Sequence, residues 1–158
     1  ADLAGLARDL GVEMRFIEFM PLDSGRRWDA GAVVSAEEIR SRIEARWALA
    51  PLGRDDASAT ALKFRFADGA PGGVGLIAPV TRAFCGACSR LRITADGKIR
   101  PCLFSRDEYD IRPLVRRGAS DDELARFVRA AVWRKQAGHG IGADGFVQPA
   151  RSMSAIGG

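Results

Sequence analysis

Leu3, Leu6, Ala7 and Leu10 fall on one stripe of a 3.6-residue repeat, and Gly11 follows as a stop signal. Residues 1–10 therefore read as the last turns of a helix, in which the chain already stands at its first residue. The period then changes to two. Val12, Met14 and Phe16 alternate with Arg15, Ile17 and Phe19, placing apolar residues on both faces, as in a strand covered on both sides. A helix stub running at once into such a strand is the expected end of a βα repeat whose beginning is missing. A loop over residues 20–34 follows. Ser35-Ala-Glu-Glu38 has capping-box spacing and predicts a helix to about Trp47.

Pro51 to Ala59 reads as loop. Thr60 to Phe66 alternates, with Leu62, Phe64 and Phe66 inward, and a glycine-rich turn leads into a short strand from Val74 to Val80. Residues 90–104 have the form of a hairpin, with Arg90 to Thr94 outward, Asp96-Gly97 at the turn and Lys98 to Phe104 returning. After Pro113, Ser120-Asp-Asp-Glu123 opens a helix whose inner stripe is Leu124, Phe127, Val128 and Ala131. From Gly138 the chain is glycine-rich and irregular.

Composition adds bounds rather than detail. The 158 residues suit a compact core with an ordinary soluble balance of charge and apolar content. No apolar run is long enough to span a bilayer, and Asp2, Arg8 and Asp9 break up any leader-like segment at the N-terminus. A cytoplasmic protein with no membrane partner is expected. The net charge is +4, and only three of the 24 basic groups are lysines. Arginine suits planar contact with phosphate or carboxylate, so an anionic ligand is favoured over nucleic acid, for which the arginine excess is the only support.

The sharpest chemical signal is Cys85-Gly-Ala-Cys88 with Cys102 after thirteen further residues. An odd number of cysteines at this spacing points to metal or redox chemistry. The pair sits in the turn before the hairpin, and Cys102 is expected on its returning strand, drawn back towards Cys88. Three thiolates are one short of a closed zinc or iron–sulfur site, which leaves one metal position for a ligand from elsewhere. A zinc site completed by His139 and a set of unliganded small apolar cysteines stay open as alternatives. Arg90 and Arg92 are two apart on a strand and so share a face beside the cysteine turn, where they could hold a phosphate or a purine edge. Arg15, on a strand read as buried, must line a cavity or pair with Glu13 or Glu18. The tail ends on Gly157 and Gly158, which could thread into a cleft or fray.

Three stretches carry a resemblance: Arg15-Phe-Ile-Glu-Phe-Met20, the ungapped block from Phe84 to Phe104, and the Ile-Gly-Gly end. Together they resemble the C-terminal half of the GTP 3′,8-cyclases, radical SAM enzymes of molybdenum cofactor biosynthesis. The resemblance implies that Cys85, Cys88 and Cys102 hold a [4Fe–4S] cluster whose open iron coordinates the purine of GTP. It implies that Arg15, Arg90 and Arg92 contact GTP, that Met20 helps hold S-adenosylmethionine, and that Gly157 and Gly158 reach the active site. The family's Cys-x-x-x-Cys-x-x-Cys is absent, so this chain is expected to be inactive alone, as the latter half of a longer protein or a divergent remnant. The fold expected is α/β to α+β. Residues 1–34 would end an incomplete (β/α) barrel, and residues 35–158 would form a C-terminal layer carrying the cluster hairpin. Expected partners are GTP and the missing N-terminal radical SAM half, with a homodimer allowed.

Overall fold

The computed structural model describes residues 1–23, 25 and 27–156. The fold is α+β, built on a mixed four-stranded sheet and a smaller three-stranded one. Helix α1 (Asp2–Leu10) ends at Gly11, whose φ of 66° lets its N–H turn back onto the Ala7 carbonyl. Of the apolar stripe only Ala7 is buried; Ala4 joins it, while Leu3, Leu6 and Leu10 are exposed. Small residues let the helix approach β-strands closely. Gly72, at φ 78°, passes directly beneath the Ala7 carbonyl, where a Cβ would collide with backbone.

The chain divides into two compact units, Ala1–Met20 with Asp29–Cys88, and Pro21–Trp28 with Ser89–Gly158. In the first, β1 (Glu13–Ile17) runs parallel to β4 (Gly73–Ile77), and β3 (Leu62–Phe66) pairs antiparallel with both β4 and β2 (Leu49–Gly53), in the order β1-β4-β3-β2. Parallel pairing requires a crossover, and α2 (Ala36–Glu44) supplies its helix, with the Ser35 side chain accepting from the Glu38 N–H. The core gathers Ile43, Leu49, Phe64, Phe66, Val74 and Leu76. Phe66 and Ile43 are wholly buried, each contributing roughly 1.5–3 kcal/mol. Strand β2 lies where the sequence reads as loop. Its Pro51 is tolerated because β2 is an edge strand, with the register shifting between Pro51 and Gly53.

β1 is covered on one face only. Met14 and Phe16 are half-buried, whereas Ile17 is 54% exposed, so the reading of a strand buried on both sides does not hold within this chain.

In the second unit, β5 (Arg92–Ile93), β6 (Lys98–Arg100) and β7 (Tyr109–Asp110) form an antiparallel sheet. Gly97 takes the turn at φ 72°. A short helix α3 (Arg112–Arg116) precedes α4 (Asp121–Trp133), whose N-terminus carries the complete Ser120–Glu123 capping box. The described residues end in a 3₁₀ turn, Met153–Ile156, with Ile156 fully buried. No described helix is long and apolar enough to cross a membrane.

Candidate functional site

Cys85 and Cys88 are joined by a single 3₁₀ turn, Cys85–Ala87, closed by the Cys88 N–H onto the Cys85 carbonyl at 3.1 Å. Gly86 and Ala87 between them are small and exposed, which permits so tight a turn. Both cysteines are half-buried. The segment leading into them is pinned by Glu18, which is 2% exposed. One carboxylate oxygen accepts from the Val80 and Thr81 N–H groups, each at 2.9 Å; the other accepts from the Ala36 N–H at 2.9 Å and the Thr81 hydroxyl at 2.5 Å. Burial raises the Glu18 pKa, but the donors from Thr81, Ala36 and Val80 outweigh it and hold the carboxyl below its ordinary value. Glu18 thus caps α2 and shapes the loop before Cys85 with one group. Phe84, the last residue before the turn, lies 5.2 Å from the Arg54 guanidinium.

Cys102, half-buried in the second unit, does not sit on the returning strand. The β5–β6 ladder ends at the Arg92–Arg100 pair, and Pro101 then leads into a turn closed by the Ser105 N–H on the Cys102 carbonyl at 3.1 Å. The Phe104 N–H donates to the Cys102 sulfur at 3.4 Å. Arg100, 2% exposed, holds this turn by donating to the Ser105 carbonyl at 2.5 Å and the Leu103 carbonyl at 3.4 Å, while pairing with Glu108.

The arginines read from sequence fall out differently. Arg92 is half-buried on β5, directly across from Arg100; Arg90 is exposed just before the strand, its carbonyl accepting from Lys135 Nζ at 2.9 Å. Arg15 is not buried. Its side chain is 53% exposed, and Nε donates to Glu13 at 2.5 Å, so of the two arrangements open from sequence the Glu13 pair is present. The Glu13 carboxyl is held below its usual range, first by the Arg15 hydrogen bond. Across the sheet, Arg15 registers with Gly75 and Gly75 with Lys63, whose ammonium lies 3.4 Å from Glu13. A side chain at Gly75 would press on Arg15 Cγ at 3.1 Å, so the glycine leaves room for the arginine stem.

Met20 is half-buried at the end of the first unit, and Gly157 and Gly158 lie outside the described residues. His139 accepts the Ile141 N–H on Nδ1 and packs edge-on to Phe104 at 5.1 Å, which does not favour it as a zinc ligand. Several arginines are engaged within the fold: Arg8, Arg42, Arg100, Arg112, Arg117 and Arg151 are each paired with a carboxylate. Among the described residues, no three His, Cys, Asp or Glu side chains are gathered so as to hold a metal ion. The donor set still suits a cluster that takes three thiolates and leaves one iron for another ligand.

Residues 12–141 match the family model for Molybdenum Cofactor Synthesis C. The chain belongs to that family. It is 49% identical over 158 residues to the GTP 3′,8-cyclase of Rhodococcus opacus, covering 100% of this chain and 45% of that protein. It is 50% identical over 151 residues to the GTP 3′,8-cyclase of Mycolicibacterium smegmatis, covering 94% and 42%, and 45% identical over 157 residues to that of Streptomyces coelicolor, covering 99% and 46%. The chain spans less than half the length of these curated relatives.

Sequence reasoning considered Glu18 only as a partner of Arg15 and missed Arg100, whereas both hold the backbone of the segments that carry the cysteines. A buried Glu in an apolar strand is the signal that could have found the first. Arg100 adjoins Pro-Cys and carries no periodic cue.

Proposed function

We propose that this chain is the C-terminal part of a radical SAM GTP 3′,8-cyclase acting in the first step of molybdopterin biosynthesis. The observation that carries the reading is identity of 49% along the whole chain to a GTP 3′,8-cyclase, together with the three cysteines on two shaped turns. Cys85, Cys88 and Cys102 are the residues that would hold a [4Fe–4S] cluster. When bound, the cluster supplies an open iron position that a purine heteroatom can occupy. Arg90 and Arg92 offer planar cationic donors to GTP, and Arg15, braced by Glu13, offers its terminal nitrogens to the same anion. Holding the purine still reduces the entropic part of the barrier, which is the work assigned to this part of the enzyme. Met20 contacts S-adenosylmethionine and Gly157–Gly158 reach the reacting centre.

Residues 1–34 form the end of the barrel in this reading, and its N-terminal part packs on α1 and β1. The exposure of Leu3, Leu6, Leu10 and Ile17, at 56, 45, 64 and 54%, and the edge position of β1 support that placement. The second cysteine motif needed to cleave S-adenosylmethionine is not in these residues, so the chain alone does not turn over GTP.

Anaerobic reconstitution followed by metal analysis and EPR tests the proposal. Four irons per chain, lost on replacing any of the three cysteines by alanine, with a spectrum that changes on adding GTP, are the expected results. Stoichiometric zinc without an iron–sulfur signal would refute the cluster. A spectrum indifferent to saturating GTP would refute substrate coordination.

A further inference from the structure

The C-terminal segment is fastened at a point the proposed activity does not account for. Arg151 donates through both terminal nitrogens to the Asp96 carboxylate, at 3.1 and 2.8 Å, across the tip of the β5–β6 hairpin. The same guanidinium reaches Glu108, through Nε at 2.7 Å and a terminal nitrogen at 2.9 Å. Its side chain is 27% exposed, and the Glu108 side chain 16%. Asp96 is itself fixed by the Thr94 hydroxyl at 2.6 Å, and its carboxyl is held far below the ordinary range, first by Arg151 and then by Thr94. Two further contacts secure the residues that follow: the Met153 N–H donates to the Leu22 carbonyl at 3.0 Å, and Ile156 is fully buried.

Glu108 is shared. Besides Arg151 it binds Arg100, and Arg100 holds the Leu103 and Ser105 carbonyls within the turn that starts at Cys102. One continuous line of charge-assisted hydrogen bonds therefore runs from the tail, through Arg151, Glu108 and Arg100, to the loop of a cysteine ligand.

We propose that Arg151 is a positioning residue that anchors the C-terminal tail to the hairpin and ties its placement to the Cys102 loop. The inference rests on the reading in which Gly157 and Gly158 act at the substrate site. Two residues reach at most roughly 7 Å beyond Ile156, so wherever Ile156 is held decides what those glycines can touch. A guanidinium suits the task, since its rigid planar fork meets the Asp96 carboxylate with two parallel hydrogen bonds while also reaching Glu108, a bidentate geometry that an ammonium point charge lacks.

Hydrogen–deuterium exchange on the whole chain, read peptide by peptide, provides the test. Arg151→Ala is expected to speed exchange of the Met153 amide and its neighbours at least tenfold. A smaller rise is expected over residues 102–105, and none over β3 and β4. Arg151→Lys should fall between wild type and alanine. Tail exchange within twofold of wild type in Arg151→Ala would overturn the anchor, and an unchanged 102–105 segment would overturn the link to the cysteine loop. If Arg151→Ala loosens α4 equally, Asp96→Asn decides. It leaves Glu108 in place, and a rise confined to the tail and hairpin tip supports the anchor, while no rise there overturns it. Iron content measured on the same samples separates the two readings. Failure of wild type to take up iron would remove the cluster, while the tail exchange would still decide the role of Arg151.

Discussion

Replacing Glu18 by Gln tests how the cysteine turn is held, because the change removes charge and one acceptor while keeping shape. Four donors converge on this carboxylate: three backbone N–H groups and the Thr81 hydroxyl. An amide nitrogen placed on the side of Val80 and Thr81 faces two N–H groups; turned the other way, it faces the Ala36 N–H and a hydroxyl that can rotate to accept. The better arrangement still leaves one buried donor unmatched, at a cost of about 1–3 kcal/mol. Losing the negative charge at the start of α2 adds about 0.3–1 kcal/mol. The expected destabilisation is thus about 2–4 kcal/mol.

Urea unfolding followed by the fluorescence of Trp47, which packs against Phe66 in the first unit, reads this difference as a lower midpoint at constant slope. The pH dependence follows from the lowered carboxyl pKa. A group whose folded-state value is depressed contributes stability that is complete above its unfolded value, near 4.3, and is lost as pH falls through the folded value. The gap between wild type and Glu18→Gln should therefore be constant from pH 7 to about 5 and narrow below 4. A gap under 0.5 kcal/mol at pH 7, or one that widens in acid, would refute the reasoning. Iron uptake provides a second readout. It should fall further in Glu18→Gln than in Ile43→Ala, which costs a comparable ~2–5 kcal/mol from the core without touching the loop before Cys85.

Gly72→Ala should destabilise the first unit by at least about 1–3 kcal/mol from its positive φ alone, with further loss because the new Cβ meets the Ala7 oxygen and lies 2.7 Å from that of Val12; the same urea titration measures it. Ser120→Ala removes one half of the α4 capping box and should cost about 1 kcal/mol, seen as an earlier loss of helical circular dichroism, with Trp47 fluorescence unaffected. Arg92→Lys should weaken GTP about tenfold in an EPR titration of the reconstituted cluster while leaving iron content unchanged. Equal weakening by Arg106→Lys, an exposed arginine beyond the cysteine turn, would show that the effect is not specific to the guanidinium fork at position 92.

What the chain discloses before folding is what its local rules determine. Gly11 ends α1, the two Ser-x-x-Glu signals open α2 and α4, Phe64 and Phe66 alternate inward, and Asp96-Gly97 turns the hairpin, each decided by residues within a few positions. Strand β2 was hidden because Pro51 reads as a breaker until edge placement excuses it, and β7 because two residues carry no period. The stripe of α1 suggests a face of leucines, yet tight approach to the sheet selects Ala4 and Ala7 instead. Cys85 and Cys88 were legible as a turn. Cys102 was misplaced onto a strand because nothing local announces that the ladder stops at Arg100.

The two cysteine-bearing turns are fixed by the same device in opposite polarity. A buried carboxylate, Glu18, collects the N–H groups of the segment before Cys85, and a buried guanidinium, Arg100, collects the carbonyls around Cys102. Apolar packing is non-directional and cannot set the conformation of a short turn, whereas an ion with several fixed lone pairs or donors can. Burying such a charge is costly unless it is paired, so a small shift of either turn weakens the ion's compensation as well as breaking a hydrogen bond, although Arg100 Nε is buried without a partner among the described residues. That penalty favours one conformation for each turn. Neither residue announces this role locally, because Glu18 and Arg100 bind the backbone of segments beside the cysteines and their partners are set by folding rather than by neighbouring sequence.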